Sequence, residues 1–292
     1  TDARSYLYQG LELGRETVSP VIVALALNNI GSTYLPQENF AQAIDYLEQS
    51  LAISQSVGDR ANEAITMVSL GATYLLQEQY SQALDFLLPG LEISQETGNR
   101  SIETIALNGL GMVYRSQGRY EKALIHYQQS LSNARALGDP AIEAEDLSGL
   151  GELFESKDQT PLSIVFFKQA ISTYEQIRSE NQGLSQELRD SYTTAVEGRY
   201  RRLADLLLQQ DRVLAAQQVL ALLKIQEIDD YLRGVGGTES AFSILSPERS
   251  ILDRHNEIVA SAVNLSQELS DLQETEELER SDQQNQRIDT IL

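Results

Sequence analysis

The chain has 292 residues, no Cys, and a formal charge of −21 from 22 Lys and Arg against 43 Asp and Glu. Without thiols it has no disulfide framework, no Cys-based zinc site and no thiol nucleophile. The acidic balance argues against nucleic acid or an anionic membrane as partner, and no apolar run approaches the ~20 residues of a membrane span.

Residues 1–20 are expected to form the second helix of a truncated repeat, because Gly10-Leu11-Glu12 and Glu16-Thr17 match Gly90-Leu91-Glu92 and Glu96-Thr97 two repeats later. The start at Thr1 without Met reads as a cut fragment. No leader segment is visible, and a cytoplasmic location is expected. From Ala24 onward one pattern is written four times. Gly31, Gly71, Gly111 and Gly151 stand 40 residues apart. An apolar residue precedes each, and an aromatic follows three positions later (Tyr34, Tyr74, Tyr114 and Phe154). A small residue follows at twelve (Ala43, Ala83, Ala123 and Ser163). A period of this length marks a solenoid, whose units bury their apolar faces only by stacking.

One unit reads as two antiparallel helices. Ala64, Met67, Leu70, Gly71 and Tyr74 make one helical face, and Tyr80, Ala83, Leu84, Leu87 and Leu91 make the next. Gly58-Asp59, Gly98-Asn99 and Gly138-Asp139-Pro140 punctuate the units: Gly takes the left-handed cap conformation, Asp or Asn caps the next helix, and Pro suits a first helical position. The repeats are therefore placed at 21–58, 59–98, 99–138 and 139–182, the last degenerate because Asp158-Gln159-Thr160-Pro161 replaces Gln117-Gly118-Arg119-Tyr120. Pro89 is expected to kink its helix. A longer helix pair follows at 183–233, then a linker at 234–246. Residues 247–292 are read as a last helix with an acidic tail, its seam running from Ile258 to Leu272.

Leu110-Gly111-Met112-Val113-Tyr114 and Gln117-Gly118-Arg119-Tyr120-Glu121-Lys122-Ala123 resemble the tetratricopeptide repeat in a 40-residue variety, although the early Trp of the usual pattern is absent. The resemblance implies an all-α fold, a right-handed superhelix of antiparallel helix pairs with an extra C-terminal helix. It also implies a concave face, lined by the first helices, that binds peptide or protein segments. A helical wheel places Leu25, Asn28 and Ser32 on that face, with Leu35 extending it. Ile65, Val68 and Leu75 follow in the second repeat, and Ile105, Asn108, Met112 and Arg115 in the third. In the fourth, Glu145, Glu152 and Glu155 make the face acidic, which suggests an amphipathic or basic-ended ligand. Asn28 and Asn108 are candidates to hold a peptide backbone. The competing reading is that Leu25, Ile65 and Ile105 pack between neighbouring repeats.

No catalytic constellation stands out, and no enzyme activity, cofactor or metal is expected. His126 occupies the position of Tyr46, Phe86 and Phe166 and reads as a packing aromatic, while His255 has no second His near it. Gly234-Val235-Gly236-Gly237 lacks the strand–turn–helix context of a phosphate loop. The run Ala221–Leu232 is similar to the segment that closes the repeat array in bacterial, often cyanobacterial, TPR–CHAT proteins. That resemblance implies the sensing half of a protein whose protease domain lies elsewhere. The expected function is thus a protein-interaction scaffold; the alternative is a self-assembling module that pairs through its terminal helices.

Overall fold

The structure, a computed structural model, describes residues 2–180, 186–228 and Arg249. The chain divides into two compact units, Thr1–Phe242 and Ser243–Leu292. Eleven α-helices are found among the described residues, all in the first unit. The expected linker, last helix and acidic tail lie outside the described residues.

The helices run in chain order as α1 (Asp2–Glu16), then four pairs: α2 (Pro20–Ser32) with α3 (Phe40–Val57), α4 (Arg60–Leu76) with α5 (Tyr80–Glu96), α6 (Arg100–Ser116) with α7 (Tyr120–Leu137), and α8 (Pro140–Ser156) with α9 (Thr160–Glu180). A longer pair follows, α10 (Gln186–Gln209) with α11 (Val213–Ile228). Each helix packs on the next, so the chain is the stacked all-α array that the 40-residue period implies.

The repeated glycines explain why the two helices of a pair approach so closely. A Cβ built on Gly31 would lie 3.0 Å from Leu47, and one on Gly71 would lie 2.6 Å from Leu87. On Gly111 it would meet Tyr127 at 2.7 Å, and on Gly151 Phe167 at 2.9 Å. These four knobs are themselves 40 residues apart and fully buried. The following repeat makes room for two of these knobs: a Cβ on Gly109 would lie 3.2 Å from Leu87, and one on Gly149 would come within 2.5 Å of Tyr127. Beside each crossing two rings stack, Tyr34 on Tyr46, Tyr74 on Phe86, Tyr114 on His126 and Phe154 on Phe166, with centroids 5.3–5.7 Å apart. His126 thus takes the packing place expected of it. Its Nδ1 is buried without a hydrogen-bond partner, and burial, with Lys122 nearby, holds its pKa below the usual imidazole value.

The Gly-Asp and Gly-Asn linkers serve two helices at once. Gly58 closes α3 at φ +70°; its N–H donates to the Gln55 carbonyl and that of Asp59 to Ser54. The Asp59 carboxylate then accepts from the Asn62 N–H at 3.1 Å and caps α4. Asn99 and Asp139 cap α6 and α8 in the same way. Across each linker a further bond ties the two helices together: Gln55 to Glu63 (3.2 Å), Gln95 to Glu103 (3.4 Å) and Arg135 to Glu143 (2.8 Å). The turn inside each pair also repeats. Glu38, Glu78, Gly118 and Asp158 all have φ between +54° and +71°. The fourth repeat, degenerate in its letters, therefore keeps the turn geometry of the third. Pro89 lies inside α5, which continues through it as one helix of 17 residues, with Leu87, Gly90 and Ile93 buried on either side.

At the first linker, Val18-Ser19-Pro20 reproduces the same closure. Val18 N–H donates to Arg15 and Ser19 N–H to Gly14, with Val18 at φ +51° and 84% exposed. A β-branched residue is strained in the left-handed region that Gly58, Gly98 and Gly138 occupy freely. Val18→Gly is expected to stabilise the chain by about 1 kcal/mol, read as a higher urea midpoint at unchanged slope; an equal or lower midpoint refutes it.

Candidate functional site

The first helices of successive repeats touch one another, α2 with α4, α4 with α6 and α6 with α8, whereas the second helices have no comparable mutual contact. The array is therefore closed on the side of the first helices and splayed on the other, and its inner face is lined by α2, α4, α6 and α8.

Four columns of residues run across that face at 40-residue steps. In the first, Leu25 and Ile105 are 43% and 41% exposed and Ile65 is half-buried. Each of the three leaves part of its side chain to solvent. In the second column Asn28 and Val68 are buried, at 6% and 3% exposure, and Asn108 is half-buried. Val68 packs against Gly90 of α5 and forms floor rather than surface. Ser32, Met112, Leu75 and Arg115 are half-buried on the remaining two columns. Leu35 is half-buried as well, but it lies in a 3-10 turn, Leu35–Gln37, that Pro36 joins after α2 has ended at Ser32.

The two asparagines are turned into the interior. Asn108 Nδ2 donates to Asp146 Oδ1 at 2.8 Å, and Asn28 Oδ1 is buried without a partner. Asp146 is fully buried between repeats, is also bonded by Ser130, and leaves its Oδ2 unpaired. Thr66 holds the equivalent place two repeats earlier, sharing a 3.0 Å bond with Ser50. Where the earlier interface uses two hydroxyls, the later one buries a carboxyl, and burial pushes its pKa up to about 7. The helical wheel missed this residue because position 146 faces the neighbouring repeat; a charged letter at the place of Ala26, Thr66 and Ala106 is the signal that reveals it.

The fourth repeat corrects the expectation of an acidic end. Glu152 pairs with Arg115 at 2.8 Å, Glu145 with Arg199 at 2.8 Å, and Glu155 with Arg202 at 2.6 Å. The Tyr174 hydroxyl adds a 2.9 Å bond to Glu145. Two of the three arginines come from α10, outside the four repeats on which the acidity was read. Between α8 and α10 these groups line a cleft of about 830 Å³, with Arg115, Glu152, Glu155, Asp158, Arg199 and Arg202 on its walls. Cations and anions are balanced there. Among the described residues no group of three or more His, Cys, Asp or Glu is placed to hold a metal ion, and no helix is long and apolar enough to cross a membrane.

An open inner face on a stack of helix pairs defines a repeat-built scaffold. The chain belongs to the tetratricopeptide repeat family, whose model matches residues 22–96 and 102–176, more than half of its length. Among solved structures it is similar to BtubC from P. vanneervenii, with 17% identity and a TM-score of 0.61 over 83% of this chain and 96% of that one. Aspartyl phosphate phosphatase F from Bacillus subtilis is similar at 16% identity and a TM-score of 0.57, over 96% and 73%. NprR in complex with its cognate peptide NprX is similar at 14% identity and a TM-score of 0.54, over 99% and 81%. At these identities the likeness is one of fold. No curated protein matches the chain.

Asp146 makes stability depend on pH with a definite sign. Its carboxyl titrates near 7 when folded and near 3.8 when unfolded, so between those values the native chain holds a proton the unfolded chain has lost. The contribution is fully present below about pH 4 and is lost as pH rises through about 7. Asp146→Asn is expected to raise the urea midpoint at pH 8 more than at pH 5.5. A gain that is equal at the two pH values, or larger at pH 5.5, refutes it.

Proposed function

We propose that this chain is a protein-interaction scaffold whose inner face holds a segment of a partner protein along α2, α4 and α6. The observation that carries the reading is the column Leu25, Ile65 and Ile105, apolar side chains left open to solvent at even steps on the inner face. Ser32, Leu35, Leu75, Met112 and Arg115 complete the docking surface, and Asn28, Val68 and Asn108 form its floor. NprR, a protein of similar fold, was solved with a peptide bound, which supports a peptide as ligand. The chain's charge of −21 favours a protein over nucleic acid, and the groove needs no cofactor. A finer reading is that docking regulates an attached catalytic domain of the CHAT protease type, in a bacterial cytoplasmic protein; it rests on the run Ala221–Leu232, and the native reading frame around this segment tests it.

Twelve-residue peptides selected from a random library on the immobilised chain provide the direct test. Ile65→Asp with Ile105→Asp is expected to weaken the selected peptides at least tenfold while the thermal midpoint stays within a few degrees. Retained affinity, or a library that yields no binder, refutes the groove.

A further inference from the structure

We infer that the junction between the third and fourth repeats is a pH-sensitive joint, closed by the Asp146 carboxyl acting as a hydrogen-bond donor and released when that carboxyl gives up its proton. The joint needs no ligand and is independent of the docking reading above. It places the pH response at one junction of the array rather than in the fold as a whole.

The first observation is the direction of the hydrogen bonds. Ser130 has one hydroxyl hydrogen and donates it to the Thr104 carbonyl at 3.1 Å. Its oxygen can then accept from Asp146 but has no hydrogen to offer a carboxylate. The same layout occurs two repeats earlier. There Ser50 donates to the Ala24 carbonyl at 2.7 Å, so the 3.0 Å bond between Ser50 and Thr66 has Thr66 as its donor. Asp146 stands where Thr66 stands, and a carboxyl takes a donor's part only when protonated. Asn108 Nδ2 donates to Oδ1 at 2.8 Å, while the buried Oδ2 receives no hydrogen bond. Oδ2 is therefore the oxygen that carries the proton.

The second is the lack of a counter-ion. Glu145 and Asp139 of α8 both oppose ionisation of Asp146, and burial opposes it more strongly still. From α7 the titratable group beside it is the Tyr127 phenol, and α9 contributes Tyr174, bonded to Ser148 and Glu145. The cations of α6 are turned to other partners, Arg100 to Asn133 and Arg115 to Glu152. On α7, Arg135 pairs with Glu143, Arg119 and Lys122 lie over the Tyr114 ring, and His126 stacks on it. Arg199 of α10 is paired with Glu145. Lys168 of α9 holds the place of Glu48 and Leu88, which is exposed in α3 and α5. An ionised Asp146 is thus a buried charge without a partner, and it is relieved only by admitting water between the repeats.

The third is position. The carboxyl belongs to α8, Asn108 to α6 and Ser130 to α7, so this one cluster spans the whole junction. In a stacked array each repeat leans only on its neighbours, and a junction that loosens is not held shut by the rest of the molecule. Asn108 is half-buried at the inner face, so the joint lies in the floor of the groove.

Amide hydrogen exchange on the full chain, corrected for the intrinsic rate at each pH, reads the joint. The carboxyl keeps its proton up to about pH 7 when closed and only up to 3.8 when hydrated, so rising pH favours opening. Between pH 5.5 and pH 8, protection along α6 and α8 is expected to fall on the order of tenfold. Protection along α2 and α4 should change far less, because Ser50 and Thr66 do not ionise there. Asp146→Asn gives Asn108 an acceptor and Ser130 a permanent donor, and Asp146→Thr copies Thr66. Both are expected to abolish the loss along α6 and α8. Carbon NMR of the Asp146 carboxyl reports the sense of its bond to Ser130. Ser130→Ala is expected to lower the titration midpoint, since the protonated form loses its acceptor; a raised or unchanged midpoint overturns the inference. So does α8 protection that is the same at the two pH values, or a loss that persists in Asp146→Asn. A loss of equal size in every helix also overturns it, because the carboxyl then sets overall stability and no joint exists.

Discussion

Everything in this array depends on one close approach, the crossing at which a glycine of the first helix receives a large side chain from the second. Gly31, Gly71, Gly111 and Gly151 accept Leu47, Leu87, Tyr127 and Phe167 at distances that leave no space for a Cβ. Two backbones brought this near bury the knob completely and align the pair for the ring stack beside it. Close-packed interiors have little slack, so a change in one member forces a change in its neighbours. Leu87 and Tyr127 show the consequence: each also meets a glycine of the following repeat, Gly109 and Gly149, and the pair's packing is shared across a repeat boundary.

Because each repeat is built the same way, the inner face is an exposed copy of the internal period. Positions 25, 65 and 105 keep an aliphatic side chain at the surface in three repeats, and position 145 is a glutamate in the fourth. The change of chemistry coincides with the change of architecture. The fifth pair is longer, and α10 projects Arg199 and Arg202 onto α8, so the acids there become members of ion pairs. The inner face thus has an apolar half and, at one end, a cleft in which cations and anions are balanced.

The buried polar groups between repeats show how the period tolerates variation. Ser50 with Thr66 and Ser130 with Asp146 occupy equivalent places, and the residues at the corresponding positions between them are Gly90 and Ala106, which carry no polar side chain. A hydroxyl pair and a carboxyl held by Asn108 and Ser130 fit the same place in the period. Only the carboxyl carries a titration into the core, since desolvation opposes its charged form.

The 40-residue period by itself determined the class of fold, the helix pairs, the glycine crossings and the Gly-Asp linkers, because each of these is a local rule repeated at a constant step. The packing place of His126 was legible for the same reason: it stands in a column of rings. The inward turn of Asn28 and Asn108, the burial of Val68 and the pairing of Glu145, Glu152 and Glu155 were decided only by the tertiary structure. A helical wheel locates a residue on its own helix, but whether that face meets solvent or a neighbour depends on the curvature of the stack. The arginines of the cleft lie 47 to 54 residues from the glutamates that α10 brings them to, and about 37 from the one Arg115 reaches. No local pattern encodes a contact of that span, because its geometry is the sum of every crossing between.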